Sequence, residues 1–269
     1  MRRIPTSHGV WRRASAFAGA LGLTATIALA GQPALGAEGQ GVHAEPDWPA
    51  PVEEHWYGRV LIDRLEVAVA EDEETLNWDA QAWYGGDVDR VWFETEGEHV
   101  LEDGEGGELE TADLFYSRRV APFWDLRAGP GYQREYGPGP DRDRFFGVLG
   151  VQGLAPYWFE TEANLRVSED GDVSADAELE YDLLLTQRLI LQPRFETTVA
   201  FQDVPEFGQG AGMTGFRTGL RLRYEIMREF APYLGVSWRR DLGETADLVE
   251  AEGGDTSSVA VVFGVRVWF

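Results

Sequence analysis

The chain has 269 residues, a formal net charge of −24 and no cysteine, and all 23 of its basic residues are arginine. A surface this negative repels nucleic-acid phosphates, so nucleic-acid binding is excluded. Without cysteine there is no disulfide framework, and the fold must be held by backbone pairing and packing.

The first 37 residues are predicted to be a signal peptide. Arg2, Arg3, Arg12 and Arg13 precede the apolar stretch ASAFAGALGLTATIALA, and small residues offer cleavage sites that end at Ala30 or Ala37. Residues 38–57 are acidic and proline-rich without any period, which predicts a disordered periplasmic leader. No later segment contains the roughly 18 apolar residues of a membrane helix, so a membrane-spanning form of this chain must span with strands.

Residues 58–269 alternate apolar and polar side chains with period two, the pattern of strands. In WFETEANLRVS, apolar residues from Phe159 to Val167 face one way and polar residues from Glu160 to Arg166 face the other. The same alternation runs through 173–183, 189–202 and 216–226, and it returns in the closing SVAVVFGVRVWF, Ser258 to Phe269. About twelve such strands are counted, an even number that is expected to place both chain termini on the same side of the membrane.

The connections alternate between two kinds. One kind is short and aromatic, as in RVAPFW and LAPYWF, and the other is acidic and glycine-rich, as in EGEHVLEDGEGGE and DLGETADLVEAEGGDTSS. This asymmetry is typical of outer-membrane barrels. The predicted fold is all-β, a closed antiparallel transmembrane β-barrel of about twelve strands in the outer membrane, with membrane lipid against its apolar face. The alternative is a soluble β-sandwich or lipocalin-like barrel with an apolar core.

Several blocks resemble a known family. HWYGRVLIDRLEV, DAQAWYGGDVDRVWFETEGE, LFYSRRVAPFWDLRAG, GVLGVQGLAPYWFETEA, AELEYDLLLTQRLILQPRFE, GLRLRYEIMREFAPYLGVSW and the final WF occur in order, and together they resemble the copper resistance protein B family. The resemblance implies an outer-membrane β-barrel tied to copper tolerance, with a periplasmic multicopper oxidase as partner. The terminal aromatic residue resembles the signal read by the outer-membrane assembly machinery.

If the apolar faces contact lipid, the polar faces line the lumen. They are predicted to form an acidic wall beside a basic wall, which would set up a field across the interior. One interpretation is a selective pore or a carboxylate site for a divalent cation; the other is a salt-bridge network that fills and braces the barrel. The residues of the two walls are Glu160, Glu162, Asp176, Glu178, Glu180 and Asp182, and Arg188, Arg194, Arg217, Arg221 and Arg223.

Copper ion is the predicted ligand. Candidate metal ligands are the alternating carboxylates Glu178, Glu180 and Asp182, together with His43 and His55 in the leader. Members of the family often carry a stretch rich in methionine and histidine before the barrel, with soft ligands for copper. This chain has an acidic leader instead, so a dedicated soft-ligand copper site is not supported by its sequence.

The sequence therefore predicts an outer-membrane protein of copper resistance that binds copper or passes it across the membrane. The alternatives are a general ion or small-solute channel without a metal-specific site, and a partner that docks a periplasmic oxidase through its leader. No serine is placed with a histidine partner on a barrel strand, so an enzyme is not predicted.

Overall fold

The computed structural model describes residues 55–71, 73–101, 106–137 and 140–269. The predicted signal peptide, most of the predicted leader and His43 lie outside these residues. Within them, thirteen strands are formed. They are β1 (Tyr57–Val69), β2 (Glu74–Gly85), β3 (Asp89–Val100), β4 (Gly107–Ala121), β5 (Trp124–Tyr136), β6 (Arg142–Ala155), β7 (Phe159–Ser168), β8 (Val173–Glu180), β9 (Leu183–Leu184), β10 (Leu189–Ala200), β11 (Gly212–Tyr224), β12 (Phe230–Asp241) and β13 (Ser257–Trp268).

The strands close into one antiparallel barrel. Apart from β8 and β9, which do not pair with each other, each strand pairs with its neighbours in sequence, and β13 pairs with β1 to complete the ring. The segments β8 and β9 both pair with β10 and share one position, so the barrel has twelve positions. The pairing of β13 with β1 joins the two outer edges of the sheet, as a spanning sheet requires, because lipid offers no hydrogen bonds. The predicted twelve-stranded closed barrel is confirmed.

The two faces of the strands are as the alternation predicts. Large apolar side chains such as Leu149, which is 51% exposed, cover the outside. Charged side chains such as Arg194, which is 4% exposed, lie inside. A hydrocarbon-compatible exterior around a charged interior is the arrangement of a transmembrane barrel rather than of a soluble one.

The strand β1 contains an irregularity that its sequence pattern does not show. Its register shifts between Ile62 and Arg64 on the side of β2, and between Ile62 and Leu65 on the side of β13. Such a bulge inserts an extra residue and redirects the side chains beyond it. As a result Asp63 and Arg64, which are consecutive, are both buried.

The two ends of the barrel differ. At the end that we call the short-turn end, the connections are 86–88, 122–123, 156–158, 185–188 and 225–229. The first and last strands also meet at this end, through backbone hydrogen bonds between Val60 and Phe269. Aromatic side chains collect at this end; Tyr157 and Trp158 are 83% and 71% exposed, as expected of a membrane-interface belt.

At the other end, called here the long-loop end, the structure differs from the sequence prediction in two details. Most of EGEHVLEDGEGGE is strand rather than loop, because β3 continues to Val100 and β4 begins at Gly107. The connection 242–256 carries helix α1 (Gly243–Glu252), whose last turn ends at Gly253 in the left-handed conformation. Among the described residues, no helix is long and apolar enough to cross a membrane.

Candidate functional site

The lumen contains a cavity of about 640 Å³. Its lining residues range from Phe123 and Leu154 near the short turns to Gln133 and Gln209 near the long-loop end, so the cavity follows the barrel axis. Fourteen carboxylate side chains line it, against six arginines. The carboxylates are Asp63, Asp79, Glu94, Glu96, Glu98, Glu108, Glu110, Asp125, Glu160, Glu162, Asp176, Glu178, Glu180 and Glu196.

The three carboxylates predicted to bind metal have different surroundings. Glu178 pairs with Arg194 at 2.7 Å, and Asp182 pairs with Arg223 at 2.6 Å. Glu180 makes no ion pair within 4.0 Å among the described residues, and it lies directly opposite Glu160 on β7. Within the described part of the chain, no group of three histidine, aspartate or glutamate side chains is arranged to hold a metal ion.

Four of the five arginines predicted for the basic wall point into the lumen, with Arg221 and Arg223 almost fully buried. Arg188 does not belong to the wall. It lies in the short turn 185–188 with its side chain exposed, because β9 ends at Leu184 and β10 begins only at Leu189.

The lumen charges are interleaved rather than separated into two walls. Arg166 on β7 pairs with Asp113 on β4 and with Asp176 on β8, at 2.8 and 2.7 Å. Arg221 on β11 forms a two-pronged contact with Glu66 on β1, three positions along the ring, at 3.0 and 2.8 Å, and the Tyr233 hydroxyl donates to the same carboxylate at 2.9 Å. Such two-pronged arginine contacts are strong and directional, and these support the salt-bridge interpretation of the lumen.

Two arginines at the centre of this network were not predicted. Arg64 contacts Asp79, Glu96 and Glu196, and it reaches them because the bulge in β1 turns it inward. Arg127 on β5 is fully buried between Glu94 and Glu162. The alternation of polar and apolar residues in β5 could have placed Arg127 in the lumen from the sequence alone. No sequence pattern indicates the bulge in β1 that turns Arg64 inward.

An apolar cluster occupies one side of the lumen. Trp92, Phe115, Phe146 and Val148 are buried together on β3, β4 and β6. The guanidinium of Arg127 lies 4.5 Å from the centre of the Phe115 ring, a cation–π contact. Trp92 and Phe146 also line the cavity, so one side of it is apolar.

At the long-loop end, Asp172 ties three elements together. Gln202 Nε2 donates to its carboxylate at 3.2 Å, Arg144 Nη2 at 2.7 Å and the Ser168 hydroxyl at 3.3 Å. Arg144 also lies 4.8 Å from the ring centre of Phe207, in the loop after β10. The hydrogen bond from Gln202, followed by the charge and hydrogen bond of Arg144, holds the pKa of Asp172 below its ordinary value.

The lowered pKa makes this junction sensitive to acid. A carboxylate with a lower pKa in the folded state contributes stability at pH values above its unfolded pKa, about 3.9. The contribution is lost as the pH falls through the folded pKa. We therefore expect Asp172→Asn to lower the urea midpoint of the barrel in lipid vesicles at pH 7, with the difference from wild type shrinking below about pH 4.

The matched control for this prediction is Asp170→Asn, which changes an exposed residue of the same loop. It should leave the midpoint unchanged at both pH values. A deficit for Asp172→Asn that stays constant from pH 7 to pH 3 would contradict the ionic role of Asp172.

The histidines and methionines do not assemble into a soft-ligand site in the described part of the chain. His55 is exposed before β1. His99, within EGEHVLEDGEGGE, lies on β3 and stacks on Tyr136 at 5.9 Å between ring centres. Met213 and Met227 are 45% and 57% exposed.

Comparison with known proteins agrees with this architecture. Residues 56–269 match the family model described as Copper resistance protein B precursor (CopB). The chain belongs to the copper resistance protein B family. It is 42% identical over 210 residues to Copper resistance protein B of Escherichia coli, and 38% identical over 209 residues to the Copper resistance protein B homolog of Pseudomonas syringae pv. tomato (strain ATCC BAA-871 / DC3000). Each match covers 78% of this chain and 69% of the relative.

The fold of this copper resistance protein B family member also resembles a solved barrel. The NanC porin superposes with a TM-score of 0.51 at 10% sequence identity, over 77% of this chain and 98% of that chain. At this identity the likeness concerns the fold alone. Family and barrel together place the chain in the outer membrane and associate it with copper resistance.

Proposed function

We propose that this barrel serves copper tolerance by admitting hydrated copper cations into its acidic lumen and passing them across the outer membrane. The observation that carries the proposal is the axial cavity lined by fourteen carboxylates and only six arginines. A passage whose lining carries an excess of one sign of charge raises the local concentration of the opposite ion. Cations are therefore favoured in this lumen over anions.

The ligand chemistry favours weak, exchangeable contact. Carboxylate oxygens are hard ligands, and soft thioether ligands for Cu(I) are lacking among the inward-facing residues that the structure describes. Cu(II) is therefore the form that this lumen suits better. Passage also requires that an ion be held weakly enough to leave.

Glu160 and Glu180 are the carboxylates best placed for such transient contact. They face each other across the β7–β8 pairing, both line the cavity, and neither makes an arginine ion pair within 4.0 Å among the described residues. Like charges in opposite positions of a sheet repel one another. A passing divalent cation would relieve that repulsion.

The proposal is tested by electrical recording from the full-length protein in planar bilayers under a gradient of Cu(II) salt. We expect a reversal potential that shows cation selectivity, and a lower cation preference in the double variant Glu160→Gln/Glu180→Gln. The matched control is Glu74→Gln/Asp170→Asn, which removes two exposed carboxylates outside the cavity and should leave the selectivity unchanged. An anion-selective or electrically silent wild-type barrel would overturn the proposal.

A second candidate is a general cation channel without a metal-specific site. It is favoured by the engagement of Glu178 and Asp182 by arginines. Equal permeation of Cu(II) and Ca(II) in the same recordings, with no saturation by copper, would select this candidate. Neither candidate includes a catalytic step, and the assembly machinery and a periplasmic multicopper oxidase stay predictions from the sequence.

A further inference from the structure

Arg217 on β11 reaches across the lumen. Its Nη2 atom lies 3.3 Å from Glu110 on β4, six positions away from β11 in either direction around the ring of twelve. The Nη2 atom also lies 3.9 Å from Glu98 on β3, while Nη1 lies 3.9 Å from Glu96 on β3 and 3.7 Å from Glu196 on β10. One side chain thus links opposite walls of the barrel.

The contacts of Arg217 are looser than those of the buried lumen arginines Arg194 and Arg223. Arg194 and Arg223 reach a carboxylate at 2.6 Å, with side chains 4% and 2% exposed. The shortest ion-pair distance of Arg217 is 3.3 Å, and its side chain is 25% exposed. It is therefore surrounded by four glutamates without being locked to any one of them.

Arg217 and these four glutamates all line the axial cavity. A guanidinium at this place narrows the passage and puts a fixed positive charge among the carboxylates that a permeating cation would meet. Both effects oppose the movement of cations, and the exposure of the side chain allows it to be displaced without rebuilding the barrel wall.

We propose that Arg217 is the residue that limits the width and the cation selectivity of the lumen. This inference rests on the proposed function, since it concerns the passage of cations through the same cavity. It assigns to Arg217 a role different from that of Arg194 and Arg127, which brace the barrel in tight contacts.

The test is single-channel recording from the full-length protein carrying Arg217→Ala, in potassium chloride and then in a Cu(II) salt. Coulomb's law in water, for a unit charge about 7 Å from a monovalent cation, predicts roughly a threefold rise in potassium conductance on removal of the charge. The rise should be larger for a divalent cation, and the cation-over-anion permeability ratio should increase as well.

Arg239→Ala is the matched control. Arg239 lines the same cavity from β12, but its side chain is exposed, and it makes no ion pair within 4.0 Å in the described part of the chain. Its removal takes away the same charge without opening a cross-lumen contact, so the conductance should change much less.

Arg217→Gln is a second variant for the case that Arg217→Ala folds poorly. Its amide can still donate a hydrogen bond to the glutamates, and it should shift the selectivity in the same direction.

The outcomes separate this inference from the proposed function. A cation-selective wild type whose conductance and selectivity do not change in either Arg217 variant, or change equally in Arg239→Ala, would overturn the inference alone. An anion-selective wild type whose conductance rises specifically in Arg217→Ala would overturn the proposed function and leave Arg217 as the limiting residue. Barrels that are folded but silent in every variant would overturn both.

Discussion

Replacement of Leu149 by arginine is expected to lower the free energy of unfolding of the barrel in lipid vesicles by about 2–4 kcal/mol. Leu149 lies near the middle of β6, on the outer face, with Leu165 and Ala128 as its partners on the adjacent strands. A charge there must be taken into hydrocarbon or must draw water and headgroups toward it. Urea titration followed by tryptophan fluorescence measures the loss.

The control for this prediction is Val88→Arg. Val88 is 46% exposed, close to the 51% of Leu149, but it lies in the short turn between β2 and β3. The same change in chemistry there should alter the free energy of unfolding by no more than about 0.5 kcal/mol. Equal effects at the two positions would mean that the outer face of the barrel is not in contact with lipid.

The second large effect is expected inside the barrel, where Arg194→Ala should destabilise by about 3 kcal/mol. Arg194 is buried and contacts Glu178 at 2.7 Å and Glu196 at 2.6 Å. Its guanidinium also reaches Asp79 on β2 at 3.4 Å. Removal of the arginine leaves these carboxylates buried without compensation, which costs more than the pair itself contributes.

A double variant distinguishes this electrostatic cause from lost packing. In Arg194→Ala/Glu178→Gln one of the uncompensated charges is gone, so part of the lost stability should return. In a double-mutant cycle, the coupling free energy between Arg194 and Glu178 should be between about 0.5 and 3 kcal/mol. Arg188→Ala, in an exposed turn, is the control and should be nearly neutral. Strictly additive effects of the Arg194 and Glu178 changes would rule out the proposed coupling.

The two predictions address opposite faces of the same strands and have different consequences for function. The outer face decides whether the barrel resides in the membrane at all. The inner network decides how much of the lumen remains open, because each arginine that pairs across the barrel occupies space and neutralises carboxylates that would otherwise attract cations. An acid-rich cavity persists only because the carboxylates outnumber the arginines.

The sequence alone determined the barrel, its twelve positions and the direction of most side chains. Alternation with period two is a local property, and contact with lipid on one face makes it strict. Phe159 to Val167 and Glu160 to Arg166 could therefore be assigned to opposite faces without coordinates. The copper resistance protein B family could likewise be identified from sequence blocks that occur in the same order along the chain.

Only the tertiary structure decided which lumen charges meet. Arg217 and Glu110 are 107 residues apart in the chain and come together because the ring closes between β13 and β1, which places β11 opposite β4. Arg64 faces inward only through the bulge in β1, and Arg188 lies outside the lumen because β9 ends at Leu184 and β10 begins only at Leu189. Register and ring closure depend on pairing between distant strands, and a pattern within one strand contains no information about either.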